Sequence, residues 1–280
     1  MHPVLKNRNS HPRDNLIKFY SLGHKYEVSA DKKNKYTSVT KWTDTHFPKF
    51  DADKVIENVF NSKHWGPEHK YWGMTADQIK QLWNSSGKAA ASQGTSLHNR
   101  IEHFMNDRRF TFVYTQKELY EIYKADFKEK VDELIEWEYF INFTGDHQEL
   151  KPYRTEWSIY DEDLKLAGSI DMVYENPDGT LSIYDWKRCK DIPAENTWNH
   201  FATNPLVNHL YDTKFWHYAI QLNTYKGIIE RKYGKVVSKL CLVKLHPENF
   251  SQNYELMEVP MLDKEIEDLF TERLQQVKVN

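Results

Sequence analysis

The sequence predicts an α/β (α+β) fold in which a mixed central sheet is flanked by helices. Three strand patterns follow one another in the middle of the chain: 153–160, 166–174 and 181–186. The turn sequence Asn-Pro-Asp-Gly at 176–179 joins the last two. A helical pattern at 212–233 and a further strand at 236–245 come next. With a helix before the first strand, the order is helix–strand–strand–strand–helix–strand.

The elements before this core are mostly helical. The first ~35 residues are polar and irregular, and 36–42 predicts a short strand. Residues 51–61 form a helical pattern. Thr75 and Gln78 form a capping box that opens a further helix. The helical pattern continues over 87–104 with small residues that suit close packing.

Two more helical patterns and a weak strand complete the chain. Thr115 and Glu118 form a second capping box, which opens a long amphipathic helix ending near residue 140. A weak strand at 254–259 and a closing helix at 263–277 follow the core.

Composition limits the class of protein. With 38 Lys+Arg against 41 Asp+Glu, the net charge is −3, which argues against a broad basic surface that coats nucleic acid. No apolar run approaches the ~18–20 residues of a membrane span. Cys189 and Cys241 are too few for a disulfide framework or a four-cysteine iron–sulfur cluster. Residues 1–15 lack the apolar core of a secretory signal, so we expect a soluble intracellular protein in the cytoplasm, nucleus or a viral factory.

The predicted hairpin brings two carboxylates together. If Glu175 lies opposite Leu181, Asp171 lies opposite Asp185, and Lys187 projects from the same face. Two facing carboxylates repel each other unless a positive charge lies between them. A divalent cation such as Mg²⁺ meets this need. The alternative is a pair of exposed surface carboxylates beside a lysine.

Three further sets of residues fit such a site. Glu156 on the preceding strand could bind the metal or align Lys187, or it could be a salt-bridge partner. His98 and Glu102 stack on one helical face, and a neutral imidazole can ligate a metal. Gln221 and Tyr225 likewise share a helical face, from which both can donate hydrogen bonds to a phosphate.

Read in order, these motifs resemble the PD-(D/E)XK nuclease superfamily, in its RecB-like branch, which includes mitochondrial genome maintenance exonucleases. The matching pieces are Gly94-Thr95-x-x-His98-x-x-x-Glu102, Glu156, Gly168-x-x-Asp171, Asp185-Trp186-Lys187 and Gln221-x-x-x-Tyr225. The resemblance covers about residues 90–245 and implies a restriction-endonuclease-like core. We therefore expect an N-terminal helical accessory region at 1–85, of a kind seen in some viral and phage members, and a nuclease domain at 86–280.

The resemblance also implies roles. The catalytic residues would be Asp171, Asp185, Lys187 and Glu156. One or two Mg²⁺ or Mn²⁺ ions, and no iron–sulfur cluster, would be bound by His98, Asp171, Asp185 and the Trp186 backbone carbonyl. Lys187 would orient or deprotonate the attacking water, and Gln221 and Tyr225 would hold the scissile phosphate.

Candidate DNA contacts come from cations and aromatic residues near these motifs: Arg100, Arg188, Lys190 and Trp198. The last three lie on or near a long connection at 188–211, which could border a DNA channel or pack on the body of the protein. Stacking on unpaired bases is worth ~1–3 kcal/mol per base.

The sequence thus leads to a metal-dependent DNA exonuclease in replication, recombination or repair, acting on DNA with a free end or a single-stranded region. A structure-selective or restriction-like endonuclease of the same fold is the first alternative. A catalytically inactive DNA-binding or assembly subunit is the second.

Overall fold

The computed structural model describes residues 4–20, 22–106 and 135–279. The capping box predicted at Thr115 and Glu118, and most of the helix predicted after it, lie outside the described residues. The predicted mixed sheet flanked by helices is confirmed.

Among the described residues, six strands build the central sheet, and they include all those predicted for the core. They are β3 (Thr37–Ser38), β4 (Lys151–Asp161), β5 (Leu166–Glu175), β6 (Leu181–Lys187), β7 (Val237–Lys244) and β8 (Glu255–Glu258). Two others, β1 (Ile17–Tyr20) and β2 (Lys25–Val28), form a separate antiparallel hairpin. The β6–β7 pair is parallel and the β4–β5 and β5–β6 pairs are antiparallel, so the sheet is mixed.

Strand β5 changes partners along its length, and this creates a fork in the sheet. At Leu166 and Ala167 it pairs with β3, whereas from Met172 to Glu175 it pairs with β6. The predicted register, with Glu175 opposite Leu181, is confirmed. The β5–β6 ladder ends at Met172 and Tyr184, so the two strands part just where Asp171 would face Asp185.

Helices cover both faces of the sheet. They are α1 (Val4–Arg8), α2 (Val39–Asp44), α3 (Ala52–Phe60), α4 (Ala76–Met105), α5 (Ile135–Asp146), α6 (Lys214–Lys232) and α7 (Asp263–Val279). One apolar cluster joins α2, α6 and α7 to the sheet. A second joins the last turns of α4 and the middle of α5 to the opposite face. Among the described helices, none combines the length and apolar composition that crossing a membrane requires.

Helix α4 differs from its prediction in the middle. The capping box at Thr75 and Gln78 is confirmed, but the helix runs without a break for 30 residues. Residues 84–93 are exposed, and a Cβ added at Gly87 would meet no atom within 4 Å. The prediction that the small residues mediate close packing is therefore wrong within the described residues. Alanine is a strong helix former, which favours a continuous helix without packing.

The N-terminal region also departs from the prediction. The strand expected at 36–42 is only two residues long, because Ser38 caps α2 by accepting a hydrogen bond from the Lys41 amide (3.3 Å). The first 35 residues, predicted irregular, contain the β1–β2 hairpin. This region is tied to the sheet by a buried ion pair between Asp14 and Arg154 (2.8 Å). A domain division at residue 85 stays a prediction.

Candidate active site

Asp171 of β5 and the sequence Asp185-Trp186-Lys187 of β6 lie at the fork, where the two strands separate. Where the strand ladder stops, the Trp186 amide donates a hydrogen bond to Asp171 Oδ2 (3.0 Å) instead of to a backbone carbonyl. Asp185 is buried, with 3% of the residue exposed, whereas Asp171 is half-buried, with 12% of its side chain exposed. The local cause is the turn at 176–179, which fixes the register that leads both strands to this point.

Glu156 reaches the same point from the other side of β5. Its neighbours Thr155 and Trp157 pair with Met172 and Ile170, which places Glu156 beside Asp171. Its backbone is left-handed, with φ of 43°. This conformation costs a non-glycine residue about 1–3 kcal/mol, and such strain is found most often at functional sites. Ser169 Oγ donates a hydrogen bond to Glu156 Oε2 (3.0 Å), which fixes the carboxylate.

His98, on the C-terminal part of α4, completes the cluster. Its Nε2 lies 2.9 Å from the Trp186 carbonyl oxygen. Because a carbonyl can only accept, Nε2 carries a proton and Nδ1 faces the carboxylates. Nδ1 lies 3.5 Å from Asp171 Oδ2 and 3.8 Å from Glu156 Oε1. A histidine that donates one N–H to a carbonyl and turns the other nitrogen to a carboxylate pair has the arrangement usual for a metal ligand.

The donor set fits a hard divalent cation. One ligand atom each from His98, Glu156 and Asp171 lies within 4.8 Å of the others. Burial lowers the pKa of His98, but Asp171 and Glu156 outweigh it and raise that pKa to about 9. Burial also raises the pKa of Asp171. Mg²⁺ or Mn²⁺ held by these three side chains would supply the positive charge that two neighbouring carboxylates require.

Asp185 is arranged differently from the three clustered residues. Its Oδ2 lies 2.5 Å from Lys187 Nζ, in an ion pair of which 4% and 16% of the side chains are exposed. Burial, together with Asp171, raises the pKa of Asp185 to about 7 although Lys187 opposes the shift. Asp185 and Asp171 raise the pKa of Lys187 in turn, against the effect of burial, so the ammonium stays charged. Lys187 Nζ also lies 4.2 Å from the centre of the Tyr218 ring.

Gln221 and Tyr225 meet on α6, as their spacing predicts. Gln221 Nε2 donates a hydrogen bond to the Tyr225 hydroxyl (3.0 Å). The Tyr225 ring is buried against Gly168, where an added Cβ would lie 2.6 Å from Tyr225 Cε1. The glycine of Gly168-x-x-Asp171 is therefore required by packing between β5 and α6.

The four residues predicted to contact DNA differ in their surroundings: two are cations in ion pairs, and two are at exposed positions. Arg188 Nε forms an ion pair with the buried carboxylate of Glu136. Lys190 pairs with Glu248 (2.6 Å) on the surface. Arg100 is at an exposed position, and Trp198 is 79% exposed. Their role as DNA contacts stays a prediction, and for Arg188 the observed ion pair gives a structural role.

Two tyrosines near the site, Tyr218 and Tyr26, were not among the predicted site residues. Tyr218 lies one turn before Gln221, and this spacing of three could have revealed it. Tyr26 of β2 is close enough to Glu156 and Asp171 that they add to the effect of burial in raising its pKa. Glu102, which was predicted to share a helical face with His98, also lies near the site: burial and then Glu156 raise its pKa to about 7. No local pattern could have placed Tyr26 here, because β2 belongs to a distant part of the chain.

Comparisons with known proteins add little to this geometry. No family model matches the chain, and no curated protein matches it. A solved structure from Eubacterium rectale, named “Putative exonuclease”, is 13% identical over 89% of this chain and 80% of that chain, with a TM-score of 0.33. A similarity of this degree does not define a shared function.

Proposed function

We propose that this protein is a metal-dependent nuclease that hydrolyses phosphodiester bonds in DNA, and specifically an exonuclease. The observation that carries the proposal is the convergence of His98, Glu156 and Asp171 beside the buried Asp185–Lys187 pair. Three anionic groups, one imidazole and one lysine at the fork of a sheet suit phosphoryl chemistry better than a structural role. Structural ion pairs do not need an imidazole and two carboxylates aimed at one point.

In this proposal His98, Glu156 and Asp171 hold Mg²⁺ or Mn²⁺, and Asp185 borders the same site. When bound, such an ion polarises a phosphoryl oxygen and lowers the pKa of water. The Trp186 carbonyl, predicted as a ligand, accepts the Nε2 proton of His98 and so orients the ring.

Lys187 acts as a cation in this proposal. Because its pKa is raised, it does not take a proton from water near neutral pH but stabilises negative charge that develops on the phosphate. Asp185 holds the ammonium in place (2.5 Å), and Tyr218 covers it with its ring. Gln221, fixed by Tyr225, has a second amide hydrogen that can bind a phosphate oxygen.

The test compares DNA forms and metals. Purified protein is incubated with end-labelled linear duplex, circular duplex and single-stranded DNA, with Mg²⁺, Mn²⁺ or chelator. We expect degradation of linear DNA from an end, only with metal. Glu267→Gln, at an exposed position of α7, is a matched control for changes at the site and should leave the rate unchanged.

The alternatives give different results. Nicking or linearisation of circular DNA would identify an endonuclease. Binding of DNA without cleavage of any form, under all metal conditions, would identify a binding or assembly subunit and would overturn the enzymatic proposal.

A further inference from the structure

The β1–β2 hairpin and the loop after it carry an exposed cluster of lysines. We call this cluster the basic hairpin surface; its members are Lys18, Lys25, Lys32, Lys33 and Lys35. Only two acids, Glu27 and Asp31, lie in the same stretch, and Asp31 forms an ion pair with Lys165. Within the described ranges, none of the five lysines has a carboxylate at ion-pair distance.

The hairpin that carries Lys18 and Lys25 lies next to the candidate active site, and these two lysines project from the face opposite to Ile17, Phe19 and Tyr26. Strand β1 packs against β4, the strand that carries Glu156. Ile17 and Phe19 of β1 line a cavity of about 230 Å³ together with Glu102 and Glu156. The hairpin is thus one wall of the space that opens beside the cluster.

Phe19 gives this wall an aromatic edge. Its side chain is 41% exposed although the ring stands 4.9 Å from that of Tyr26, which is buried. Cross-strand pairing of Phe19 with Tyr26 fixes the backbone under the ring. An aromatic ring held at the mouth of a polar cavity can stack on a base without first being ordered.

The other cations near the site differ from the hairpin lysines, because carboxylates neutralise them. Arg154, Arg188 and Lys187 are each paired with a carboxylate, so they offer little net charge to a polyanion. The site itself carries several acids, which repel phosphate. A nucleic acid that approaches it therefore needs a separate source of positive charge, and the basic hairpin surface is such a source in the described structure.

We propose that the basic hairpin surface binds the phosphate backbone of DNA and that Phe19 stacks on a base near the end being cleaved. This inference rests on the proposed nuclease function for its substrate. It assigns to the N-terminal residues the substrate binding that the sequence suggested for the connection at 188–211.

Binding is measured without cleavage, so that the inference and the enzymatic proposal fail separately. A labelled oligonucleotide of about 20 nucleotides, single-stranded or in a duplex, covers the span from the hairpin to the site. Fluorescence anisotropy in chelator gives Kd at several salt concentrations. Two double variants, Lys18→Ala/Lys25→Ala and Lys33→Ala/Lys35→Ala, are compared with the control Lys264→Ala/Lys278→Ala, whose lysines are equally exposed on α7.

We expect each hairpin variant to bind DNA about fivefold to tenfold more weakly than the unmodified protein. The slope of log K against log salt, which is negative, should become shallower by about 1–2. The control should stay within about twofold of the unmodified protein, because its lysines would only act through long-range, screened charge. Equal losses in all three variants, or no loss in the hairpin variants, would overturn the inference even if the protein cleaves DNA.

Phe19 is tested in the same assay. Phe19→Ser should weaken single-strand binding about fivefold or more with no change in the salt slope, because the ring carries no charge. Phe250→Ser removes a fully exposed ring elsewhere and should have no effect. Unchanged affinity in Phe19→Ser, with melting temperature preserved, would refute the stacking contact.

Discussion

The sheet fork and the basic hairpin surface differ in whether their charged side chains are paired and buried or unpaired and exposed. At the fork, Asp185 and Lys187 neutralise each other at 2.5 Å and are largely buried. On the hairpin, five lysines stand in solvent without a carboxylate partner among the described residues. Charges that act on a reacting group must be held at fixed positions, which requires partners. Charges that bind a long polyanion act best when no carboxylate neutralises them, because they can then displace the counterions condensed on the DNA.

The largest effect is expected at the fork. Asp185→Asn removes the partner of Lys187 and one anionic group beside the cluster, and we expect cleavage to fall by about 10³-fold or more. The fold should persist, because the substitution keeps the shape of a side chain whose pKa burial already raises to about 7. The measurement is the initial rate at saturating metal, with circular dichroism as the check on folding. Activity within tenfold of the unmodified protein would remove Asp185 from the site.

Loss of Arg154, a buried cation outside the site, should lower the free energy of unfolding. Arg154→Met leaves Asp14 buried with Trp157 as a neutral hydrogen-bond partner (3.0 Å) but without its counter-ion. Breaking such a pair costs about 3–5 kcal/mol, and denaturant unfolding should show a loss of this size. A loss of DNA affinity with unchanged unfolding free energy would instead place Arg154 with the hairpin lysines.

Lys187→Ala separates catalysis from metal binding. Because Lys187 contacts Asp185 and lies outside the cluster of His98, Glu156 and Asp171, we expect turnover to fall by about 10²-fold while the metal concentration at half-maximal activity changes less. The control Lys264→Ala should match the unmodified protein. A change in metal affinity with unchanged turnover would contradict the assigned role.

Activity should rise with pH between about 6 and 8. Protonated His98, with its pKa raised to about 9, and protonated Asp185, with its pKa raised to about 7, both oppose metal binding. At a pH below the pKa of such a group, the metal must displace its proton, and metal affinity falls by about tenfold per pH unit for each group. Rates at limiting metal should therefore fall as the solution is acidified, and added metal should restore them. A rate that increases on acidification would contradict the proposed ligands.

The smallest effect concerns the packing behind the site. Gly168→Ala places a Cβ 2.6 Å from Tyr225 Cε1, and overpacking of this kind costs about 1–3 kcal/mol. Gly94→Ala is the matched control, because its Cβ meets nothing within 4 Å and alanine favours a helix. We expect a lower melting temperature for the first variant and an equal or higher one for the second. Equal melting temperatures would show that Tyr225 moves aside freely.

Much of the fold could be predicted because its signals are local. The turn at 176–179 and the alternation along β5 and β6 predicted the register of the hairpin, which holds as far as Met172 and Tyr184. Beyond that pair the strands part, and Asp171 accepts a hydrogen bond from the Trp186 amide instead of pairing with Asp185 in the ladder. The spacing of Gln221 and Tyr225 likewise predicted their hydrogen bond (3.0 Å). The exposed middle of α4 was missed, because small residues are compatible with both close packing and solvent exposure.

The sequence by itself determined which acids, imidazole and lysine the candidate site contains and on which strands and helix they stand. Periodicity and turn chemistry act over a few residues, so they are readable without a partner. Only the tertiary structure decided that Glu156 and His98 meet at Asp171, that Arg154 and Arg188 are neutralised, and that the hairpin of residues 17–28 borders the site. These outcomes depend on residues far apart in the chain, such as Asp14 and Arg154, and no local pattern records which distant carboxylate will neutralise a given cation.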